Sequence, residues 1–305
     1  MNKWYLIMIL VILSAISLML GVADISSDIQ ILFQSRFPRL ISIIAAGAGM
    51  SIAGLIMQQL SRNKFVSPTT AATEDSAKLG VLVAMVLLPG IGTFKTMIVS
   101  FAFAVSGTFL FMAILKKIKF RNIVYVPLIG IMLGNIIDSA AAFLAYKYDV
   151  VQSVSSWLMG DFSMIIKGRY ELLYISIPLI MIAFTYANKF TIAGMGEDFS
   201  KNLGLNYNQV MNIGLIIVSL ISSLVIITVG KIPFLGLIVP NIISIINGDN
   251  LKNNIVMTAL FGAVFLLACD IFGRLIIYPY EIPISLTAGV IGSVIFLYLV
   301  WRRKS

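Results

Sequence analysis

Apolar segments of membrane-spanning length follow one another along almost the whole of this 305-residue chain. The window from Met211 to Val229, for example, contains no charged residue. About 20 such residues cross the hydrocarbon core of a bilayer as one α-helix, which satisfies its own backbone polar groups there. With 59% hydrophobic and 11% charged residues, the chain is predicted to be an all-α, polytopic membrane protein.

The hydropathy pattern predicts about ten spans, and residues 1–305 are expected to form a single transmembrane domain. The predicted spans are 4–22, 38–60, 70–89, 96–115, 122–146, 170–187, 208–229, 232–247, 255–276 and 283–301. The third span carries Glu74, Asp75 and Lys78, and the short eighth span contains Pro240. Short or interrupted membrane helices need protein or a water-filled cavity around them, so both are predicted to lie in the interior.

The distribution of positive charge predicts the orientation of the chain. An even number of spans places both termini on the same side of the membrane. If that side is the cytoplasm, 14 of the 22 lysines and arginines face it, as the positive-inside rule expects. The basic groups at residues 116–121 and 302–304 decide the count. The predicted topology is therefore N-in and C-in.

Several kinds of chemistry are excluded by the residues that the chain lacks. It has no histidine and one cysteine, Cys269, so His-based or Cys-rich metal sites and intrachain disulfides are excluded. No resident metal or cofactor is expected. The net charge of +9 is explained by basic cytoplasmic loops, and no nucleic-acid partner is expected. The Gly230–Lys231 pair lacks the Ser or Thr and the upstream glycine of a phosphate loop, so the chain is predicted not to hydrolyse ATP itself.

A polar segment at residues 194–205 separates spans six and seven on the predicted cytoplasmic side. Its apolar residues fall four apart and form one stripe, its acids lie in a first helical turn, and a glycine follows the last turn. Its candidate contact residues are Met195, Gly196, Glu197, Phe199, Leu203 and Gly204. The pattern fits a short helix that docks a cytoplasmic partner, and it fits equally well a loop helix that packs on its own bundle.

Two carboxylates lie inside predicted spans, Asp138 in the fifth and Asp270 in the ninth. Intramembrane carboxylates often mark ion or proton pathways, which makes an ion-coupled secondary transporter the alternative class of function. For Asp270, an ion pair with Arg274 one helical turn further on is the structural explanation. Asp138 has no partner nearby in sequence and is a candidate for lining a pathway.

Motifs along nearly the whole chain resemble, in order, the permeases of iron-siderophore and vitamin B12 ABC importers. These motifs are Arg36–Phe37–Pro38–Arg39, residues 47–54 with Gln58, Arg62–Asn63, Ser67–Pro68, residues 194–205, residues 234–241, residues 270–274 and Glu281–Ile282–Pro283. The resemblance implies a permease with ten membrane helices in the bacterial cytoplasmic (inner) membrane, surrounded by lipid. It also implies a homo- or heterodimer with a second permease, two cytoplasmic ATPase subunits and an extracellular siderophore-binding lipoprotein.

The resemblance assigns roles to particular residues. It implies that residues 194–205 couple the permease to the ATPase. It further implies that Arg36, Arg39 and Arg274 meet glutamates of the binding protein. The span that contains Asp138 lines the pathway in this family.

The sequence also departs from the usual family pattern. Asn241 stands where a histidine usually follows Val–Pro, and Lys64–Phe65–Val66 replaces Pro–Leu–Ala. The variant sequence at residues 63–70 and 77–80 is similar to the branch that imports catecholate-type siderophores such as petrobactin or anguibactin. A ferric siderophore is therefore the expected substrate.

Overall fold

The computed structural model describes residues 3–21, 30, 32–68, 72–117, 125–165 and 170–302. Within these residues the chain forms twelve α-helices and no β-strand, which confirms the all-α prediction. The helices are α1 Lys3–Met19, α2 Phe37–Leu60, α3 Thr73–Leu87, α4 Thr93–Lys117, α5 Tyr125–Lys147, α6 Val151–Leu158, α7 Ser176–Gly194, α8 Glu197–Asn202, α9 Tyr207–Val229, α10 Leu235–Asn247, α11 Leu251–Leu275 and α12 Ile284–Arg302. A π-helical turn at Leu32–Arg36 leads into α2, and a 3₁₀ turn at Glu171–Ile175 leads into α7.

Six helical segments of the described chain are long and apolar enough to cross a membrane. They are Leu32–Leu60, Thr93–Leu115, Leu128–Lys147, Glu171–Gly194, Tyr207–Val229 and Leu251–Leu275. The helices α1, α10 and α12 are apolar but shorter, and α3 carries charged residues in its first half. The membrane architecture agrees with the sequence analysis, whereas the count of ten spans and the N-in, C-in orientation stay predictions.

Parts of several predicted features lie outside the described residues. These parts are residue 22 of the first span, residues 70–71 of the third, residues 122–124 of the fifth, and residues 118–121 and 303–304 of the two basic groups. The sixth span was predicted to end at residue 187, but α7 continues to Gly194 because residues 188–194 keep their helical hydrogen bonds up to the polar segment.

The centre of the bundle is α2, which packs against α7, α9, α10 and α11. Small residues allow this close packing. A methyl group added at Gly54 would overlap the carbonyl oxygen of Gly236 on α10, and one added at Gly47 would lie 2.7 Å from the carbonyl oxygen of Gly262 on α11. Such small-residue contacts are typical of helix association in membranes, where the helices gain from close backbone approach.

Both imperfect spans form short helices with large buried faces, as predicted. In α10, Pro240 lacks an N–H group and so leaves the carbonyl of Gly236 without its helical partner. The Nε2 group of Gln58 on α2 donates to that carbonyl at 3.4 Å and to the carbonyl of Leu237 at 3.1 Å. An interior glutamine thus supplies the donor that the proline removed, as expected of broken membrane helices inside a protein.

Candidate functional site

The polar segment between α7 and α9 forms the short helix that the sequence predicted. Gly196 (φ +121°) precedes α8, and Gly204 (φ +74°) follows it, so each glycine occupies a conformation that other residues rarely adopt. The N–H of Leu205 donates to the carbonyl of Ser200 at 2.9 Å and closes the helix end. The buried hydroxyl of Ser200 donates to the carbonyls of Gly196 and of Ile192 on α7. One face of α8 is thereby fixed to its own bundle.

The other face of α8 carries the predicted apolar stripe, and it is exposed. Met195 is 55% exposed, Phe199 48% and Leu203 59%. Glu197 and Lys201 form an ion pair of 2.7 Å beside the stripe, and this hydrogen bond and charge raise the pKa of the lysine. About half of each apolar side chain is therefore left uncovered by its own subunit, which favours the docking interpretation over packing within the bundle.

A second polar group lies at the same end of the bundle as α8. Lys64, one of the departures from the family pattern, binds Asp249 at 2.7 Å and the hydroxyl of Ser244 at 2.8 Å. Asn241 donates to the backbone carbonyl of Lys64 at 2.7 Å and to that of Leu237 at 2.8 Å. The asparagine in place of histidine therefore attaches the segment after α2 to α10. Sequence analysis assigned no role to Lys64 or Asn241.

At the opposite end of the bundle, arginines and carboxylates form a buried network. Arg39 contacts Asp270 and Glu281, each at 2.7 Å, through different Nη atoms. Arg274 also binds Asp270, with its Nε at 2.8 Å from the carboxylate. The predicted structural pair of Asp270 and Arg274 is thus confirmed, and Arg39 joins it. Charge-assisted contacts of this kind are the stronger hydrogen bonds of proteins.

Two arginines of this region bind the carboxyl end of α1. Arg36 donates to the carbonyls of Leu18 at 2.6 Å and Met19 at 3.2 Å. Arg274 donates to the carbonyl and the hydroxyl of Ser17 at 3.1 and 2.7 Å. A positive charge at a helix C-terminus is favoured by the helix dipole and by the unpaired carbonyls there.

The structure therefore brings together the three arginines that the resemblance assigned to docking, but it gives each of them partners within the chain. Arg36 is 9% exposed and Arg274 is 7% exposed. Arg39 and Arg274 share the carboxylate of Asp270, and Arg39 also binds Glu281. The docking role of the arginines stays a prediction.

Charged side chains also meet within the bundle, around the start of α3. Lys78 contacts Asp138 of α5 at 2.6 Å, and Lys231, which precedes α10, forms an ion pair with Glu74. Asp138 thus has a partner that lies 60 residues away in sequence. Glu74 and Lys78 are one helical turn apart, and this spacing was the available signal for a polar face on α3.

Neither a metal site nor a reactive thiol emerges from the described residues. They contain no group of three His, Cys, Asp or Glu side chains placed to hold a metal ion. The sole cysteine, Cys269, is buried and unbonded to another cysteine. The described bundle has a short helix with an exposed apolar stripe at one end and a charged network at the other.

Comparison with known proteins gives consistent matches. The model of the FecCD transport family matches residues 4–302. The petrobactin import system permease protein YclN of Bacillus subtilis is 60% identical over 100% of this chain and 99% of its own length. The ferric-anguibactin transport system permease protein FatD of Vibrio anguillarum is 41% identical over 86% of this chain and 84% of its own length.

A solved structure supports the fold independently. A metal-chelate type ABC transporter in an inward-facing conformation superposes with a TM-score of 0.89 over 98% of both chains. Its sequence identity to this chain is 24%, so this similarity concerns the fold alone.

Proposed function

Because this chain belongs to the FecCD transport family, we propose that it is the permease subunit of an ATP-driven ABC importer that carries a ferric siderophore into the cytoplasm. The observation that carries this proposal is the 60% identity, over the full chain, to a permease named for petrobactin import. A permease of Bacillus anthracis named for petrobactin import is a further relative, with 38% identity over 98% of this chain. Together with the anguibactin relative, these names support a catecholate-type siderophore.

The ion-coupled secondary transporter is the weaker candidate. It required Asp138 and Asp270 to be available for ion or proton binding. Asp270 is held by two arginines and Asp138 by Lys78, so both carboxylates serve ion pairs. No observation on the described residues favours this function over that of the family.

The proposed assembly follows from what a permease of this kind lacks. The chain has no phosphate-binding loop, so two cytoplasmic ATPase subunits are proposed to supply ATP hydrolysis. A second permease, identical or different, completes the pathway, and an extracellular lipoprotein delivers the siderophore. In this assembly residues 1–305 form one transmembrane domain of about ten spans, N-in and C-in, in the bacterial cytoplasmic membrane.

For coupling, the proposed contact is the α8 region, residues 194–205. The exposed stripe of Met195, Phe199 and Leu203 is suited to a cleft on the ATPase surface. Burying three such side chains stabilises a contact by several kcal/mol, at about 1.5–3 kcal/mol for each fully buried side chain. Gly196 and Gly204 set the positions at which α8 leaves the bundle and returns to it.

For docking of the binding protein, the proposed surface is the network that contains Arg36, Arg39 and Arg274. Arginines at this surface suit a partner with exposed glutamates. Since the guanidinium groups are engaged inside the chain, their proposed contribution is long-range attraction and orientation more than direct contact.

Copurification tests the assembly most simply. The tagged chain, extracted in mild detergent from its native membrane, is expected to bring down an ATPase and a second permease or a second copy of itself. The chain purified free of those partners is expected to hydrolyse no ATP. ATP hydrolysis by the isolated chain would contradict the proposal.

A further inference from the structure

A groove of about 400 Å³ lies between the first half of α3, α6 and the start of α12. Its polar lining residues are Lys78, Gln152, Ser155, Ser156, Lys231 and Ser285. Every one of these side chains can donate a hydrogen bond, and the two charged ones are cations. This lining suits a ligand that presents negatively charged oxygen atoms.

The carboxylates that pair with the two lysines belong to α3 and α5. Asp138 contacts Lys78 at 2.6 Å from α5, and Glu74 pairs with Lys231 from the first turn of α3. Among the described residues that line the groove, neither carboxylate occurs. An unpaired ammonium group is costly in an apolar bundle, and each carboxylate offsets the charge of one lysine at the groove wall.

The ammonium groups of both lysines retain hydrogen-bond donors for a ligand. A lysine has three N–H donors. Within the described part of the chain, Lys78 binds one carboxylate and Lys231 binds another. Two donors on each lysine thus remain for a ligand in the groove.

The wall of the groove is held in place by backbone hydrogen bonds. The N–H of Lys231 donates to the carbonyl of Leu158 at 2.9 Å, and the N–H of Ser285 donates to the carbonyl of Gly160 at 3.1 Å. The segments that follow α6, precede α10 and begin α12 are therefore joined directly. Preorganised donors of this kind need little rearrangement when a ligand arrives.

One further carboxylate, Asp75 on α3, supplies a contrast. A methyl group added at Gly134 of α5 would overlap the Asp75 carboxylate. Asp75 therefore faces α5, and it is absent from the described lining of the groove. A ligand with a cationic group would be attracted to Asp75, whereas an anionic ligand would meet Lys78 and Lys231.

We propose that Lys78 and Lys231 form a subsite on the transport pathway that contacts the anionic oxygen donors of the transported chelate. The inference rests on the proposed function, because the catecholate and carboxylate groups that hold ferric iron carry negative charge. The partner carboxylates offset the lysine charges, which keeps the contact weak. A pathway needs contacts that favour entry without retaining the cargo.

The first test measures ATP-driven uptake of ferric petrobactin by the complete complex in proteoliposomes. Two charge-neutral double variants remove one pair each, Lys78→Gln with Asp138→Asn and Lys231→Gln with Glu74→Gln. Each is expected to assemble and to hydrolyse ATP as the wild type does, while uptake falls about tenfold. Asp75→Asn is the matched control, with uptake within about twofold of wild type. A fall in uptake for Asp75→Asn alone would overturn the proposal in favour of a cationic ligand.

A swapped pair separates a binding role from a structural one. Lys78→Glu with Asp138→Lys keeps the ion pair but moves the ammonium group from the groove wall to α5. Uptake is expected to fall as it does in the neutral variant. Uptake at the wild-type rate would mean that the pair only joins α3 to α5, and the proposal would fail.

Thiol labelling measures whether the groove favours negatively or positively charged reagents, and it leaves both lysine–carboxylate ion pairs intact. Ser285→Cys places a reporter beside the lysines, and the one native cysteine, Cys269, is buried. A negatively charged methanethiosulfonate is expected to label this variant faster than a positively charged one, and ferric petrobactin is expected to slow the labelling. Faster labelling by the positive reagent would contradict an anionic subsite. If the wild-type complex itself transports no ferric petrobactin, the proposed function fails instead.

Discussion

Arg39 on α2 and Asp270 on α11 form an ion pair of 2.7 Å although 231 residues separate them. The Asp270 side chain is 3% exposed, and it also accepts a hydrogen bond from Arg274. Glu281 binds Arg39 from the segment that leads into α12. One buried carboxylate thus connects two central helices, and the network extends to α1 and the approach to α12.

Removing that carboxylate is expected to destabilise the protein strongly. Asp270→Ala removes the carboxylate that Arg274 shares with Arg39 and leaves Arg39 with Glu281, and breaking a buried pair in this way costs about 3–5 kcal/mol. Unfolding of the detergent-solubilised protein measures this change. The matched control is Glu281→Ala, which removes a carboxylate that is 32% exposed and should cost at most about 1 kcal/mol. Equal losses of stability in the two variants would contradict a central role for Asp270.

Neutralising Glu281 is expected to speed docking of the binding protein. Glu281→Gln removes one negative charge that binds Arg39. The association rate should rise about two- to fivefold at low salt, and the gain should shrink as ionic strength increases. Surface plasmon resonance at two salt concentrations measures it. Glu197→Gln, a neutralisation on α8 at the other end of the bundle, is the control. An unchanged or slower rate in Glu281→Gln would count against docking at this network.

Charge reversal of the arginines is expected to have two effects. Arg36→Glu with Arg39→Glu should slow association, and compensating reversals on the binding protein should restore part of the rate. The structure adds a second expectation, because a glutamate at position 39 would face Asp270 and Glu281. The stability of this double variant must therefore be measured as well as its rate of association with the binding protein. A salt-insensitive, unchanged association rate would leave the arginines a structural role only.

Coupling is tested at the exposed stripe of α8. Phe199→Asp places a charge where apolar contact with the ATPase is proposed, so ATP hydrolysis should no longer drive uptake. The bundle should stay folded, since Phe199 is already 48% exposed. Lys201→Ala is the control, because it removes the exposed pair with Glu197 and leaves the apolar stripe unchanged. Normal assembly and uptake in Phe199→Asp would indicate that α8 serves its own subunit alone.

Close packing between α2 and α10 is tested by a single methyl group. Gly54→Ala is expected to destabilise the bundle by about 1–3 kcal/mol, because the added carbon meets the backbone of Gly236. Gly289→Ala on α12 is the matched control, since its nearest contact would be Pro233 at an ordinary 3.4 Å. Thermal unfolding of both variants provides the comparison. Equal stability would contradict the close approach at Gly54.

Short-range sequence patterns were sufficient to predict part of the structure. The charges in α3 and Pro240 in α10 indicated interior helices, because neither is tolerated against lipid without support. The i,i+4 spacing identified the Asp270–Arg274 pair, and the position of Gly204 identified the end of α8. Each of these features depends on interactions within a few residues along the chain.

Features set by contacts between distant residues were not predicted. Nothing in the sequence joins Lys78 to Asp138, since the contact exists only when α5 packs against α3. The orientation of Arg36 toward the end of α1 depends on tertiary packing in the same way. The short helix α6 was also missed, because its eight residues, half of them polar, are too few for a membrane span.

Uptake into proteoliposomes that contain the complete complex distinguishes an ATP-driven importer from an ion-coupled transporter. Radioactive ferric petrobactin is supplied with its binding protein, and ATP is enclosed or omitted. Accumulation is expected to require ATP and to persist when a protonophore collapses the proton gradient. Accumulation without ATP that the protonophore abolishes would contradict the proposed function and would identify an ion-coupled transporter instead.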